Sequence, residues 1–416
     1  MSGLSLYSRG GRNGPRIITP PANPNHWKPG NYISQASYDS DSLFNAIAAR
    51  LAADAAGNYR GVLIRKPWNQ LEAGLGDYNA GFDALEARLA QIAALAGRRL
   101  IIFIQIKTFN TRNPTTGEVT SYKHAVPGYM RASATYADPQ GYTNDLGEHG
   151  EYGYKSGNGG PGGYIPNMHV AAVRDRFQAL MEAFATRFNS NEYLEAVVIN
   201  EASIAEPYQV TDAGGNWTND VTWYANMKTA HIASRAALEN IQISQWFNGP
   251  RNMMSTQDNY TAPLTGWIPD LAAAGIGLGM PDLAINDRGF QYVPPQTPGG
   301  VYFSDNPGSI YLIQQVGQGN AIVIGHASKP TYEGSVANTK QGISNNLTPV
   351  YPGPEQTRQE TQAFAKNTVG VTHLCWVHNT SADPFHPGMS MNEVTDAFIA
   401  NPGSDISTIT TRPTGW

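Results

Sequence analysis

Apolar residues recur along this chain with two alternating periods, short unbroken runs and longer stretches spaced at three and four. Residues 31–37 predict a first strand, and residues 39–56 carry Leu43, Ile47 and Leu51 at helical spacing behind the capping candidates Asp39, Ser40 and Asp41. The run GVLI (61–64) predicts a second strand running into Arg65, Lys66 and Trp68. Residues 80–96 then place Phe82, Leu85, Leu89, Ile92 and Ala96 on one helix face, and Gly97 stands where a left-handed residue ends a helix. The run LIIFIQI (100–106) shows no polar face, so a central strand buried on both sides is expected.

Between residues 107 and 167 no period is visible, and Tyr and Gly are dense. A long excursion of this kind after a central strand is expected to cover a ligand. Regular alternation then resumes. Helix 168–188 leads into a strand around Val197, Val198 and Ile199, and helix 221–238 follows. The later pairs are strand 241–247 with helix 268–274, strand 276–280 with helix 309–318, strand 321–324 with helix 355–366, and strand 371–377 with helix 391–400. Eight strand–helix pairs define an α/β chain of the (β/α)8 barrel (TIM barrel) type with a long loop after strand three. Residues 1–30, polar and rich in Pro and Gly, are expected to form an extended arm, with 31–416 as a single catalytic domain.

Composition narrows the partners. Charged residues make up 15% against an average of about 25%, the net charge is -5, and no Lys/Arg run is present, which argues against nucleic acid as the main partner, so none is expected. With 21 Tyr and 8 Trp the chain suits a neutral ligand that stacks on rings. The single cysteine, Cys375 in HLCWV, excludes an internal disulfide and a cysteine metal site and reads as a buried thiol. No run approaches 18 apolar residues, so membrane insertion is not expected. The first 17 residues lack the apolar core of a signal peptide, which leaves the compartment open: secreted or periplasmic if a leader has been removed. No dinucleotide, phosphate-cradle or Ser-His-Asp pattern occurs, so no cofactor is expected. No metal is expected either, since His373 and His378 lie five apart on one strand and face opposite ways.

In a barrel the chemistry comes from the carboxyl ends of the strands. Strand two ends in Arg65, Lys66 and Trp68, with Glu72 shortly after; strand three ends in Lys107, strand four in Asn200 and Glu201, and strand five in Gln245, Trp246 and Asn248. Asp282 follows strand six, His326 and then Glu333 follow strand seven, and Trp376 with His378 closes strand eight. Carboxylates, amides and indoles together suit sugars: glycoside cleavage needs two carboxyl groups flanking one bond, and indole faces stack on pyranose rings.

Asn200-Glu201 after AVVI, the segment Trp68-Asn69-Gln70-Leu71-Glu72 with Gly76-Asp77-Tyr78 and Asp83, and Trp376 at the end of strand eight resemble the clan A glycoside hydrolases. That resemblance implies an Asn-Glu pair closing strand four and a second Glu at strand seven. It implies a retaining hydrolase acting on an oligo- or polysaccharide. Glu201 would be its general acid/base, Asn200 would bind the neighbouring hydroxyl, and Glu333 would be the nucleophile. Arg65, Trp68, Lys107, Trp246, His326 and Trp376 are the expected substrate contacts. Glu333 lies nine residues beyond Ile324, so Asp282, Asp287 and Glu206 stay open as the second carboxylate. An inverting enzyme using Asp282 or Glu206, or a non-catalytic carbohydrate-binding barrel, stays open with them.

Overall fold

The computed structural model describes residues 27–35, 37–113, 115–116, 118–155, 161–201, 219–247, 262–281, 283, 309–317, 321–327, 361–382, 388–400 and 406, with the backbone alone at 155, 161, 200–201, 219–221 and 262–265. Every apolar run that predicts a buried strand is a stave of one closed parallel barrel. In chain order the staves are β1 (Gly30–Ser34), β2 (Tyr59–Pro67), β3 (Arg99–Gln105), β8 (Leu194–Glu201), β9 (Gln242–Trp246), β10 (Gly277–Met280), β11 (Val323–Ala327) and β12 (His373–Val377). Each pairs with its predecessor and β12 returns to β1, Gly30 against His373 through Ser34 against Val377. The expected (β/α)8 fold is the observed one. Residues 1–26, most of the expected arm, lie outside the described residues.

The helices form the outer layer for the reason their spacing predicts. In α1 (Asp41–Ala53), Phe44, Ile47 and Leu51 are buried, and the Ser40 hydroxyl accepts the Leu43 N–H. The short α2 (Trp68–Leu71) precedes α3 (Asn79–Ala93), which buries Phe82, Leu85, Leu89 and Ile92. Further round lie α5 (Ala171–Phe188), α6 (Asn219–Ala237), α7 (Ala262–Ala273), α8 (Ser309–Gly317), the wide-turned α9 (Phe364–Val369) and α10 (Met391–Ile399). α10 is opened by a reciprocal cap between Ser390 and Glu393. Arg50 of α1 joins Asp396 and Asn392 of α10 to the Tyr59 hydroxyl of β2, tying the last helix over the seam where the barrel closes.

The stretch 107–167 holds more structure than its lack of period predicts. Two antiparallel hairpins, β4 (Thr111–Arg112) with β5 (Val119–Ser121) and β6 (Glu151–Lys155) with β7 (Pro161–Pro166), flank the short α4 (Gly128–Arg131). The chain leaving β3 is itself laid along β7: Thr108 N–H donates to Tyr164 C=O (3.0 Å) and Asn110 N–H to Gly162 C=O (2.9 Å). Gly163 permits that approach, because a Cβ there would sit 1.9 Å from the Thr108 carbonyl oxygen.

A buried carboxylate anchors this excursion to the barrel. Glu72, fully buried, accepts from Trp68 Nε1 (2.9 Å), Gly76 N–H (3.1 Å), the Tyr129 hydroxyl (2.8 Å) and Arg176. Arg176 also donates to the Tyr78 hydroxyl (2.8 Å). The W-x-x-L-E…G-x-Y segment is therefore a staple joining α2, α5 and the long loop.

Candidate active site

Side chains inside the barrel fall into two tiers. Cys375 stands in register with His326 of the upper tier, and the tier near the amino-terminal end holds Tyr32, Glu195 and His373. There Glu195 accepts from His373 Nε2 (3.0 Å) and from the Lys28 backbone N–H (2.7 Å). Burial pushes the Cys375 thiol up, so it is the inert core thiol its apolar run predicts.

The upper tier, where the strands end, brings together three of the expected contacts. The Trp246 indole lies between Phe103 (ring centroids 4.6 Å apart, stacked) and His326 (5.1 Å). Arg65 stands over the Phe103 ring, 5.5 Å from its centroid, and its guanidinium lies 3.3 Å from His326 Nε2. Gly279 makes room for the indole: a Cβ there would lie 2.5 Å from Trp246 Cδ1 and 2.3 Å from the Ile324 carbonyl. Phe103 and Ser34, absent from the expected set, complete this floor. Their signal was parity, since Phe103 shares the face of Gln105 on β3 and pairs in register with Arg65.

His326 is a fixed neutral imidazole. Its Nδ1–H donates to the Pro281 carbonyl (2.7 Å), and Nε2 faces the Ser34 hydroxyl (2.8 Å) and Arg65. Burial first, and the Arg65 charge second, push its pKa down to about 3. The strand carrying it runs to Ala327, beyond the apolar run 321–324, and β2 likewise runs to Pro67.

Position 201 has a special register. Ile199 of β8 pairs with Gln245 of β9, but the next pair is Glu201 with Trp246, so β8 carries one extra residue, Asn200, at its end. Bulges of this kind re-aim a strand beside functional sites. The side chains of Asn200 and Glu201, and the whole of Glu206, Asp282, Asp287 and Glu333, lie outside the described residues.

Lys107 follows β3 with its ammonium 5.4 Å from both the Phe109 and Tyr154 ring centroids, on the wall formed by the long loop. Trp68 and Trp376 stand elsewhere, and the expectation that they stack on substrate is corrected. Trp68 is fully buried, edge-on to Phe177 of α5 at 5.5 Å, with its N–H on Glu72. Trp376, also fully buried, faces α10 at Phe398 (6.0 Å) and donates to Asn31 Oδ1 (2.9 Å). Both indoles are mortar between barrel and helices.

Among the described residues one group has metal-ligand geometry, with donor atoms of His124, Glu148 and Glu151 all within 4.8 Å of one another. Most of its carboxylate lone pairs are already taken. Glu151 accepts from His124 Nδ1 and from the Ala125 and Val126 N–H groups, and Glu148 accepts from Arg131 and Asn144. Burial opposes ionisation of Glu148, yet Asn144 and Arg131 together hold its carboxyl below the usual range. The trio is a loop staple, and the Arg131 guanidinium beside Glu148 supplies positive charge to it. Among the described residues no helix is long and apolar enough to cross a membrane.

No family model matches the chain, and no curated protein does. Solved structures similar to it include the catalytic domain of a β-amylase from Paenibacillus polymyxa, with 11% identity over 83% of this chain and 91% of that one at a TM-score of 0.47. Endo-glycoceramidase II from Rhodococcus sp. shares 14% identity over 91% and 80% of the two chains (TM-score 0.42). A psychrophilic glycoside hydrolase family 10 endo-β-1,4-xylanase shares 10% over 84% and 86% (TM-score 0.40).

Proposed function

We propose that the chain is a glycoside hydrolase that holds an oligo- or polysaccharide across the carboxyl-terminal mouth of its barrel. Glu201 protonates the departing glycosidic oxygen, and Glu333 attacks the anomeric carbon in a retaining course. The observation that carries the reading is the extra residue at Asn200, which pairs Glu201 with Trp246 at the rim of the Arg65, Phe103, Trp246 and His326 floor.

The floor's own chemistry favours a carboxylic acid as proton donor. His326 is neutral, and its one N–H is engaged by the Pro281 carbonyl, so the imidazole positions Arg65 instead of giving up a proton. Arg65 places a permanent cation beneath the mouth, where it favours an ionised partner carboxylate and reads hydroxyl oxygens. In the first step the C–O bond breaks as Glu201 gives its proton to the leaving oxygen and the second carboxylate bonds to the anomeric carbon. In the second, Glu201 takes a proton from water, whose oxygen displaces that carboxylate.

The test is a panel of polysaccharides assayed for new reducing ends with the wild type and Glu201→Gln. The wild type is expected to release reducing ends. The variant is expected to lose turnover on unactivated substrates while still binding them. Near-normal turnover by Glu201→Gln removes Glu201 from the role. Saturable glycan binding by the wild type with no reducing ends identifies a carbohydrate-binding barrel, and the anomer of the first product, read by NMR, separates retention from inversion.

A further inference from the structure

Phe109 is a ring on the loop wall that is both rigidly mounted and half exposed. It is 49% exposed although the chain on either side is pinned: Thr108 and Asn110 donate their N–H groups to β7, and Thr108 Oγ1 accepts from Tyr164 N–H (3.1 Å). Behind the ring stands Tyr154, edge-on at 6.3 Å and 82°, with its own hydroxyl tied to the Thr108 carbonyl (2.9 Å). The Lys107 ammonium, 5.4 Å from both centroids, braces the pair. An exposed Leu at a turn, such as Leu75 or Leu146, lacks any comparable mounting.

Register places this ring relative to the reacting bond. Ile104 of β3 pairs with Ile199 of β8. Phe109 lies five residues beyond Ile104, past the end of β3 at Gln105 and on the segment laid along β7, whereas Glu201 lies two residues beyond Ile199 and closes β8 itself. A sugar stacked on it would lie against the loop wall, beyond the end of the strand.

We infer that Phe109 is the platform of a distal subsite, taking the apolar face of a pyranose ring remote from the scissile bond and selecting oligosaccharides long enough to reach it. The inference rests on the hydrolase reading and deepens it. A pre-positioned ring with two χ angles pays little ordering entropy on binding, which is what a stacking platform requires.

The experiment compares the wild type, Phe109→Ala and Phe109→Trp on β-1,4-linked gluco-, manno- and xylo-oligosaccharides of graded length, from dimer to hexamer. On the ladder that the wild type cleaves, Phe109→Ala should raise KM for the longest chains roughly tenfold. It should leave kcat, and kcat/KM on the shortest cleaved chain, unchanged, and Phe109→Trp should restore the long-chain KM. Equal KM at all lengths, or a loss of the same factor on short and long chains, overturns the platform. If the wild type cleaves no ladder, the hydrolase reading fails separately, and calorimetry with the three hexasaccharides decides the platform. Weaker binding by Phe109→Ala supports it, and equal affinity or no binding by the wild type overturns it.

Discussion

Glu72→Gln tests whether the wall of the candidate site is held by one buried carboxylate. The wild-type group accepts four donors with no exposure to water: an indole N–H, a backbone N–H, a phenol and a guanidinium. Burial, and then the adjacent carboxylate, push the Tyr129 hydroxyl well up, as expected of a phenol whose proton is committed to Glu72. A glutamine of the same shape keeps one acceptor oxygen but turns an NH2 group toward the remaining donors. Arg176, whose side chain is only 17% exposed, then loses its counter-ion. Breaking a buried pair in this way costs about 3–5 kcal/mol. With an unfolding entropy of roughly 2.1 cal/mol/K per residue, a chain of 416 residues loses about 3–6 °C in Tm. Calorimetry at neutral pH reads the shift directly. Adding Arg176→Met removes the orphaned cation and should recover part of the loss. A drop below about 1 °C, the effect of an exposed ion pair, would refute the assignment of Glu72 as the anchor.

Two further outcomes follow from the packing. His231 of α6 is fully buried, neither ring nitrogen has a hydrogen-bond partner among the described residues, and burial pushes its pKa down to about 3. The unfolded chain takes up this proton near the ordinary 6.5, so stability is intact above 6.5 and falls as pH drops from there to about 3, by up to about 5 kcal/mol. His231→Leu should flatten that acid limb of the denaturation curve by one proton's worth, and an unchanged slope would sink the assignment. Trp376→Phe should cost about 1–2 kcal/mol in urea unfolding, through the lost bond to Asn31, and leave glycan affinity unaltered; weaker binding would return Trp376 to the site.

The barrel was legible because helices such as α1 and α3 bury a stripe of period 3.6 and staves such as β3 carry a run that is apolar on both faces. The second property that reveals a strand also conceals its orientation. In HLCWV the first four residues are all buried, so nothing in the run distinguishes His373 and Cys375, which face the barrel interior, from Trp376, which faces α10. Strand ends were clipped for a related reason. Arg65 and His326 read as the start of loops, yet they extend β2 and β11 because the barrel interior supplies each with a partner in the other. The long loop hid its hairpins because β6 and β7 are fixed by contacts that carry no alternation: Gly163 against the Thr108 carbonyl, Glu151 under the Ala125 and Val126 N–H groups, and Tyr154 against Phe109. Where a polar or aromatic side chain is satisfied by another part of the chain far away in sequence, periodicity has no means of recording it. The candidate site consists of such pairs, so single residues at strand ends could be named from the sequence, while the floor they form with Phe103 and Ser34 required the register of the closed sheet.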